Sequence, residues 1–118
     1  MIYLYQATPA LQNQMRQLNS ERELLRLVID SVGEYEFACQ VAIDDLDLAF
    51  VSAGGALPWM ANFSAELPAI PAIQRPIDYG DILIEQPSGY VNLATPAGFI
   101  PLVDIIFQSG QLHKKQFN

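Results

Sequence analysis

The hydrophobic pattern of the first 18 residues predicts a strand followed by a helix. Residues 1–6, "MIYLYQ", alternate aliphatic side chains with tyrosines, which is typical of a short strand. Thr8 then stands directly before Pro9, and an N-cap followed by proline is a common way to begin a helix. Apolar residues recur behind them at i, i+4 and i+7, so one helical face is apolar.

A second helix is predicted directly after the first. Ser20 and Glu23 form an S-x-x-E capping box in front of an apolar run, and Gly33 lies where such a helix would end. The two helical patterns meet at Asn19 and Ser20. One continuous helix that bends there is an alternative, but we favour two helices or a kink.

The period changes to two after Gly33. Apolar side chains at Phe37, Cys39, Val41 and Ile43 alternate with polar or small ones, which predicts a strand with one apolar face. The next run, residues 46–51, alternates in the same way, and Asp44 and Asp45 separate the two. We therefore favour a β-hairpin with the aspartates at its turn. The alternative is a helix over 45–53 that is capped by Asp44 or Asp45 and ends at Gly54–Gly55.

Residues 54–77 form a proline-rich apolar segment. Four prolines between positions 58 and 76 exclude a regular helix or a central strand. The segment also holds Trp59, Met60 and Phe63, and a disordered linker would be more polar. We expect an ordered covering loop or an exposed adhesive surface.

The rest of the chain predicts a β-meander. Strands are expected at 81–86, 90–95 and 99–107, the last interrupted by Pro101, and residues 111–118 are expected to be a frayed polar tail. Helices early and strands late indicate a single α+β domain over residues 1–118. In it, the N-terminal strand and a helical pair pack on a mostly antiparallel sheet.

The composition predicts that another molecule covers part of the surface of this domain. Hydrophobic residues make up 51% of the chain and charged residues only 16%, below the usual share of about 25%. Few charges are available to coat the surface, so we expect another copy or another protein to cover some of it. Trp59, Met60 and Phe63 are the predicted partner-binding residues, because aromatic and methionine side chains are enriched at interfaces.

The charge is negative and unevenly distributed. The net charge is −7, and residues 30–113 carry eleven acidic residues against a single cation, Arg75. Such a surface repels nucleic-acid backbones, which argues against nucleic-acid binding. Asp44, Asp45 and Asp47 are the predicted acidic surface, which serves solubility or attracts a basic partner.

No set of residues indicates a metal, a cofactor or a catalytic centre. Only Asp45 and Asp47 show calcium-loop spacing, and the chain has one histidine, His113, and one cysteine, Cys39. His113 lies in a polar tail, and Cys39 is expected to be a buried apolar residue. Arg75 is expected to pair with a nearby carboxylate.

These observations favour a small acidic protein-binding module or complex subunit, of the adaptor, inhibitor or immunity type, over an enzyme. Homo-oligomerisation is included in this expectation. The alternative is a small enzyme or ligand-binding domain that uses the loop carboxylates Asp78 and Asp81 near Tyr79. No apolar run approaches the length of a membrane span, and no secretory signal is recognised, so we expect a cytoplasmic protein.

Overall fold

The computed structural model describes residues 1–57 and 75–115, which form an α+β fold around a five-stranded antiparallel sheet. The helices are α1 (Pro9–Arg16), α2 (Glu21–Asp30) and α3 (Leu46–Ser52), with a 3₁₀ turn at Val32–Glu34. The strands are β1 (Ile2–Ala7), β2 (Tyr35–Val41), β3 (Ile82–Glu85), β4 (Val91–Thr95), β5 (Gly98–Pro101), β6 (Ile105–Gln108) and β7 (Gln111–Lys114). The main sheet has the order β2-β1-β3-β4-β5, and β6 pairs with β7 in a separate hairpin. The predicted fold class is confirmed.

Strand β1 is buried on both faces. Ile2 and Leu4 pack in the cluster that contains α3, whereas Tyr5 and Ala7 pack in the cluster that contains α1, α2 and the β6–β7 hairpin. The alternation of aliphatic and tyrosine side chains therefore does not mark an outer and an inner face. Both faces of the sheet are covered, and the fold has three layers.

The two N-terminal helices begin where their capping residues predict. The Thr8 hydroxyl accepts from the Leu11 N–H at 3.4 Å, and the Ser20 hydroxyl accepts from the Glu23 N–H at 3.2 Å. Because α1 ends at Arg16 and α2 starts at Glu21, the prediction of two separate helices is confirmed. Each N-cap satisfies an N–H group that lacks an intrahelical partner.

Strand β2 is confirmed, but its predicted apolar face is wrong at one position. Leu4 pairs with Cys39 and Tyr5 pairs with Phe37, so Ala38 is an extra residue in a β-bulge. The bulge moves Phe37 to the opposite face from Cys39 and Val41. These two are buried beside α3, while Phe37 remains 56% exposed among tyrosines of β1.

The favoured hairpin at 44–53 is wrong, and the helical alternative is correct. Asp45 is the N-cap of α3, and its Oδ1 accepts from the Leu48 N–H at 2.9 Å. Ala49 and Phe50 face the sheet and are almost completely buried. The helix covers the second face of the sheet, on which Ile2, Leu4 and Leu83 are completely buried.

The C-terminal third differs from the predicted meander at two places. Strands β3 and β4 lie close to their predicted bounds, but the third predicted strand divides after Pro101 into β5 and β6, which belong to different sheets. Residues 111–114 form β7 and are therefore not a frayed tail. Leu112 is 9% exposed and packs in the core, which explains why this polar stretch is ordered.

Among the helices in residues 1–57 and 75–115, none has the length and apolar character needed to cross a membrane.

Candidate functional site

A cavity of about 450 Å³ opens where the sheet meets the N-terminal helices. Its walls are the C-terminal half of α1, the first turn of α2, and the loops at 78–80 and 95–97. Met15 and Leu24 supply apolar lining, and Gly80 lies against the Met15 thioether. The charged lining residues are Arg16, Glu21 and Asp78.

Asp78 is held at the cavity by residues of α1. Its Oδ2 accepts from Gln12 Nε2 at 3.2 Å and from Arg16 Nη2 at 3.4 Å, and its Oδ1 accepts from the Tyr79 N–H at 2.7 Å. The side chains of Arg16 and Asp78 are 65% and 44% exposed. An exposed ion pair of this length adds little stability, and it pairs the Arg16 charge within the cavity lining.

Asp81 is structural. The carboxylate is 1% exposed, and both of its oxygens are occupied. Oδ1 accepts from the Ala7 N–H and from Arg75 Nη2, while Oδ2 accepts from the Asp78 N–H and from Arg75 Nη1. Four hydrogen bonds occupy the oxygens of this buried carboxylate and leave no lone pair for a substrate.

Arg75 confirms the expected ion pair. Its two nitrogens lie 2.9 and 2.8 Å from the Asp81 oxygens, and Nη2 also donates to the Ala7 carbonyl at 2.8 Å. The hydrogen bond to Asp81 raises the pKa of the Arg75 guanidinium. The pair thus joins residues 75–81 to the C-terminal end of β1.

Tyr35 completes this network from the other side. Its hydroxyl donates to the Gly80 carbonyl at 2.5 Å. Burial, with the nearby charge of Asp81, raises the pKa of the Tyr35 phenol well above its ordinary value. The phenol therefore stays protonated as a hydrogen-bond donor to the loop that carries Asp78.

The predicted alternative site at Asp78, Tyr79 and Asp81 does not converge. The Tyr79 hydroxyl donates to the Ala56 carbonyl at 3.0 Å, and its ring stacks on Phe50 with centroids 5.8 Å apart. Of the three residues, Asp78 alone brings a partly exposed side-chain carboxylate to the cavity. The sequence does not distinguish Asp78 from Asp81, because a buried loop aspartate and an exposed one have the same local pattern.

The three aspartates of the predicted acidic surface have different environments. Asp44 is 90% exposed and accepts from the backbone amine of Met1. Asp45 caps α3, and Asp47 lies half-buried in the first turn of that helix. A negative side chain at either position stabilises the helix N-terminus. Asp45 and Asp47 therefore have a local structural role in α3.

The single cysteine and the single histidine lie on different strands, β2 and β7. Cys39 is buried, as predicted, and burial raises the pKa of its thiol. His113 is an exposed residue of β7, opposite Ile106. No group of three or more histidine, cysteine, aspartate or glutamate side chains that could hold a metal ion occurs within residues 1–57 and 75–115.

Four aromatic rings, which the sequence patterns did not bring together, form a cluster that extends from the buried Tyr5 to the exposed Phe37. Tyr3 and Tyr5 of β1 each contact Phe37 and Phe107, with centroids 5.5 to 6.1 Å apart and rings steeply inclined. We call this set the aromatic patch. Phe37 is its most exposed member, and it reaches the patch only because of the bulge at Ala38.

Other exposed apolar side chains lie across the sheet from the aromatic patch. Tyr90 and Val103 are 68% and 75% exposed, and they line a second cavity of about 490 Å³ near β4 and β5. Phe37 lies on β2 and Val103 follows β5, and these strands are the two edges of the main sheet. The predicted partner-binding residues Trp59, Met60 and Phe63 lie outside the described residues.

No protein-family model, curated protein or solved structure matches this chain. Its function is therefore inferred from the described residues.

Proposed function

We propose that this chain is a small acidic protein-binding module that joins a complex through the aromatic patch and is not itself an enzyme. The observation that carries the proposal is the 56% exposure of Phe37 within a cluster of four contacting rings. Covering an exposed phenylalanine removes apolar surface from water, and aromatic side chains in such clusters are frequent interface hot spots.

The support for a protein ligand is the form of the aromatic patch. Neighbouring rings in the patch are in edge-to-face contact, so they fill the space between them. Neither of the two cavities described above includes Phe37 or Phe107 in its lining. A filled apolar surface suits the side chains of a protein partner better than an enclosed small molecule.

The net charge favours a basic partner over a second copy of this chain. Two copies with a charge of −7 each repel one another, whereas a basic surface is attracted and gains in association rate. A basic partner also supplies guanidinium and ammonium groups, which bind well over aromatic ring faces. Homo-oligomerisation through the aromatic patch is the outcome against which this choice is tested.

Two predictions from the sequence belong to the same proposal. Trp59, Met60 and Phe63 are further partner-binding candidates on composition alone. A reducing compartment such as the cytoplasm is proposed because the chain has a single cysteine, Cys39.

The test compares Phe37→Ser with Val103→Ser. Both changes remove an exposed apolar side chain, but only Phe37 belongs to the aromatic patch. A partner captured from the source cells is identified, purified and titrated with each variant. We expect Phe37→Ser to weaken binding by about 30-fold, the effect of a hot spot, and Val103→Ser to leave it within about 2-fold. Binding should weaken as salt rises.

Light scattering of the purified chain decides between a partner and a second copy. A mass near 13.1 kDa at high concentration is expected for the proposed module. If the chain forms a stable dimer and Phe37→Ser dissociates it, the aromatic patch mediates self-association and not binding to a different protein. Equal binding by wild type and Phe37→Ser would overturn the role of the aromatic patch.

A further inference from the structure

We propose that the cavity between α1, α2 and residues 78–80 binds a small organic cation, an alkyl ammonium or alkyl guanidinium group. The cavity lies at the C-terminal end of β1, away from the aromatic patch, so this site is separate from the one proposed above. Its volume of about 450 Å³ falls within the range of known ligand pockets.

The charge of the lining selects a cation over an anion. Glu21 and Asp78 are negative and Arg16 is positive, so the lining carries one net negative charge. Arg16 is already paired with Asp78, while the Glu21 side chain has no hydrogen bond or ion pair within residues 1–57 and 75–115. An anion would meet two carboxylates, and a cation finds one of them unpaired. The overall charge of −7 also raises the local concentration of cations.

The apolar lining selects an alkyl body. Met15 is 9% exposed, and the lining also includes Leu24, Pro96 and Ala97. These side chains present apolar surface to the cavity and offer no side-chain hydrogen bonds. A short alkyl chain that places its charged head toward Glu21 and Asp78 matches this distribution.

The wall that carries Asp78 is already in position. The Asp78 N–H donates to Asp81 Oδ2 at 2.9 Å, and the carbonyl of Gly80 accepts from Tyr35. Gly80 has φ +94°, and a side chain there would meet the Met15 sulfur at 2.5 Å. Glycine is therefore required at this point, and binding does not have to order the loop.

The experiment uses three four-carbon probes: butylammonium, butyrate and butanol. Each is titrated into the isotopically labelled full chain, and amide shifts of residues that line the cavity are followed. We expect saturable shifts with butylammonium, at lower concentration than with butanol, and none with butyrate. Shifts with butyrate at equal or lower concentration, or none at the cavity with butylammonium at tens of millimolar, would overturn the inference.

Charge-matched variants locate the binding group. Glu21→Gln should weaken butylammonium binding roughly 2- to 5-fold, the range for one exposed ion pair. Glu36→Gln removes the same charge from an exposed position on β2 and should leave the affinity unchanged. Equal losses in both variants would mean that general charge, not this cavity, attracts the probe. Phe37→Ser should bind butylammonium normally, which keeps this result distinct from the test of the aromatic patch.

Two natural sources could supply the cation: a free amine or the lysine or arginine side chain of a protein. Butylammonium and a short blocked peptide that contains one lysine are compared on the same chain. Tighter binding of the peptide assigns a protein side chain, and tighter binding of butylammonium assigns a free small molecule. Binding of neither contradicts the proposal.

Discussion

Arg75 and Asp81 form a two-pronged ion pair, with Nη1 2.9 Å from Oδ2 and Nη2 2.8 Å from Oδ1. The pair lies at the C-terminal end of β1, where Arg75 and Asp81 also bind the carbonyl and N–H of Ala7. It therefore connects the segment that leads into β3 with β1, and through the Asp78 N–H it orients the cavity wall.

Removing the charge of Asp81 should destabilise the fold strongly. Asp81→Asn keeps the shape but leaves Arg75, whose side chain is 24% exposed, without a charged partner. We expect a loss of about 3 kcal/mol in the free energy of unfolding, as is typical when one member of a buried pair is removed. Urea denaturation measures it. Glu34→Gln, at an exposed carboxylate, is the control and should change stability by less than about 0.5 kcal/mol.

The raised pKa of Tyr35 predicts a loss of stability in alkali. In the folded chain the phenol stays protonated above its ordinary pKa of about 10, whereas in the unfolded chain it ionises. Above this pH the folded state binds more protons than the unfolded state. The contribution of Tyr35 to the free energy of unfolding is therefore constant below about pH 10 and decreases as the pH rises above it. The slope attributable to Tyr35 should approach about 1.4 kcal/mol per pH unit.

The control for this pH effect is Tyr35→Phe. It should lose about 1 kcal/mol at neutral pH, since the hydrogen bond to the Gly80 carbonyl is gone. Above pH 10 its unfolding free energy should fall less steeply than that of wild type. Parallel slopes in the two proteins would show that Tyr35 ionises normally in the fold.

A methyl group at Gly55 should clash with the core of the α3 layer. A Cβ there would lie 2.2 Å from a ring carbon of Phe50, which is 1% exposed and cannot move without repacking. We expect Gly55→Ala to cost about 1–3 kcal/mol. Gly33→Ala is the matched control, because a Cβ at Gly33 meets nothing within 4 Å. Thermal unfolding of both variants decides the matter, and equal melting temperatures would contradict the packing described.

Substitutions at Asp45 test whether residues 46–52 form a helix or part of a hairpin, because Asp45 is the N-cap of the helix. Asp45→Ala should lose about 1 kcal/mol, because the hydrogen bond from the Leu48 N–H is gone. Asp45→Asn should retain most of the stability, since asparagine is an equally good N-cap. Chemical denaturation of the two variants provides the measurement. If both lost the same amount, the negative charge and not the cap would explain the effect.

Local rules explain the parts of this protein that sequence reasoning predicted well. Thr8 and Ser20 cap helices within three residues of themselves, and alternation in residues 35–41 needs only neighbouring side chains. The acidic character also follows from composition alone. These features depend on interactions over a few positions, which a single chain displays directly.

Tertiary structure decided what the same residues do at longer range. Residues 46–52 alternate like a strand but form α3, because the second face of the sheet needs an apolar cover. The bulge at Ala38 exposed Phe37, and the partner Arg75 made Asp81 structural while Asp78 stayed at the cavity. Strand register, burial and ion pairing join residues far apart in the chain, so no local pattern contains them.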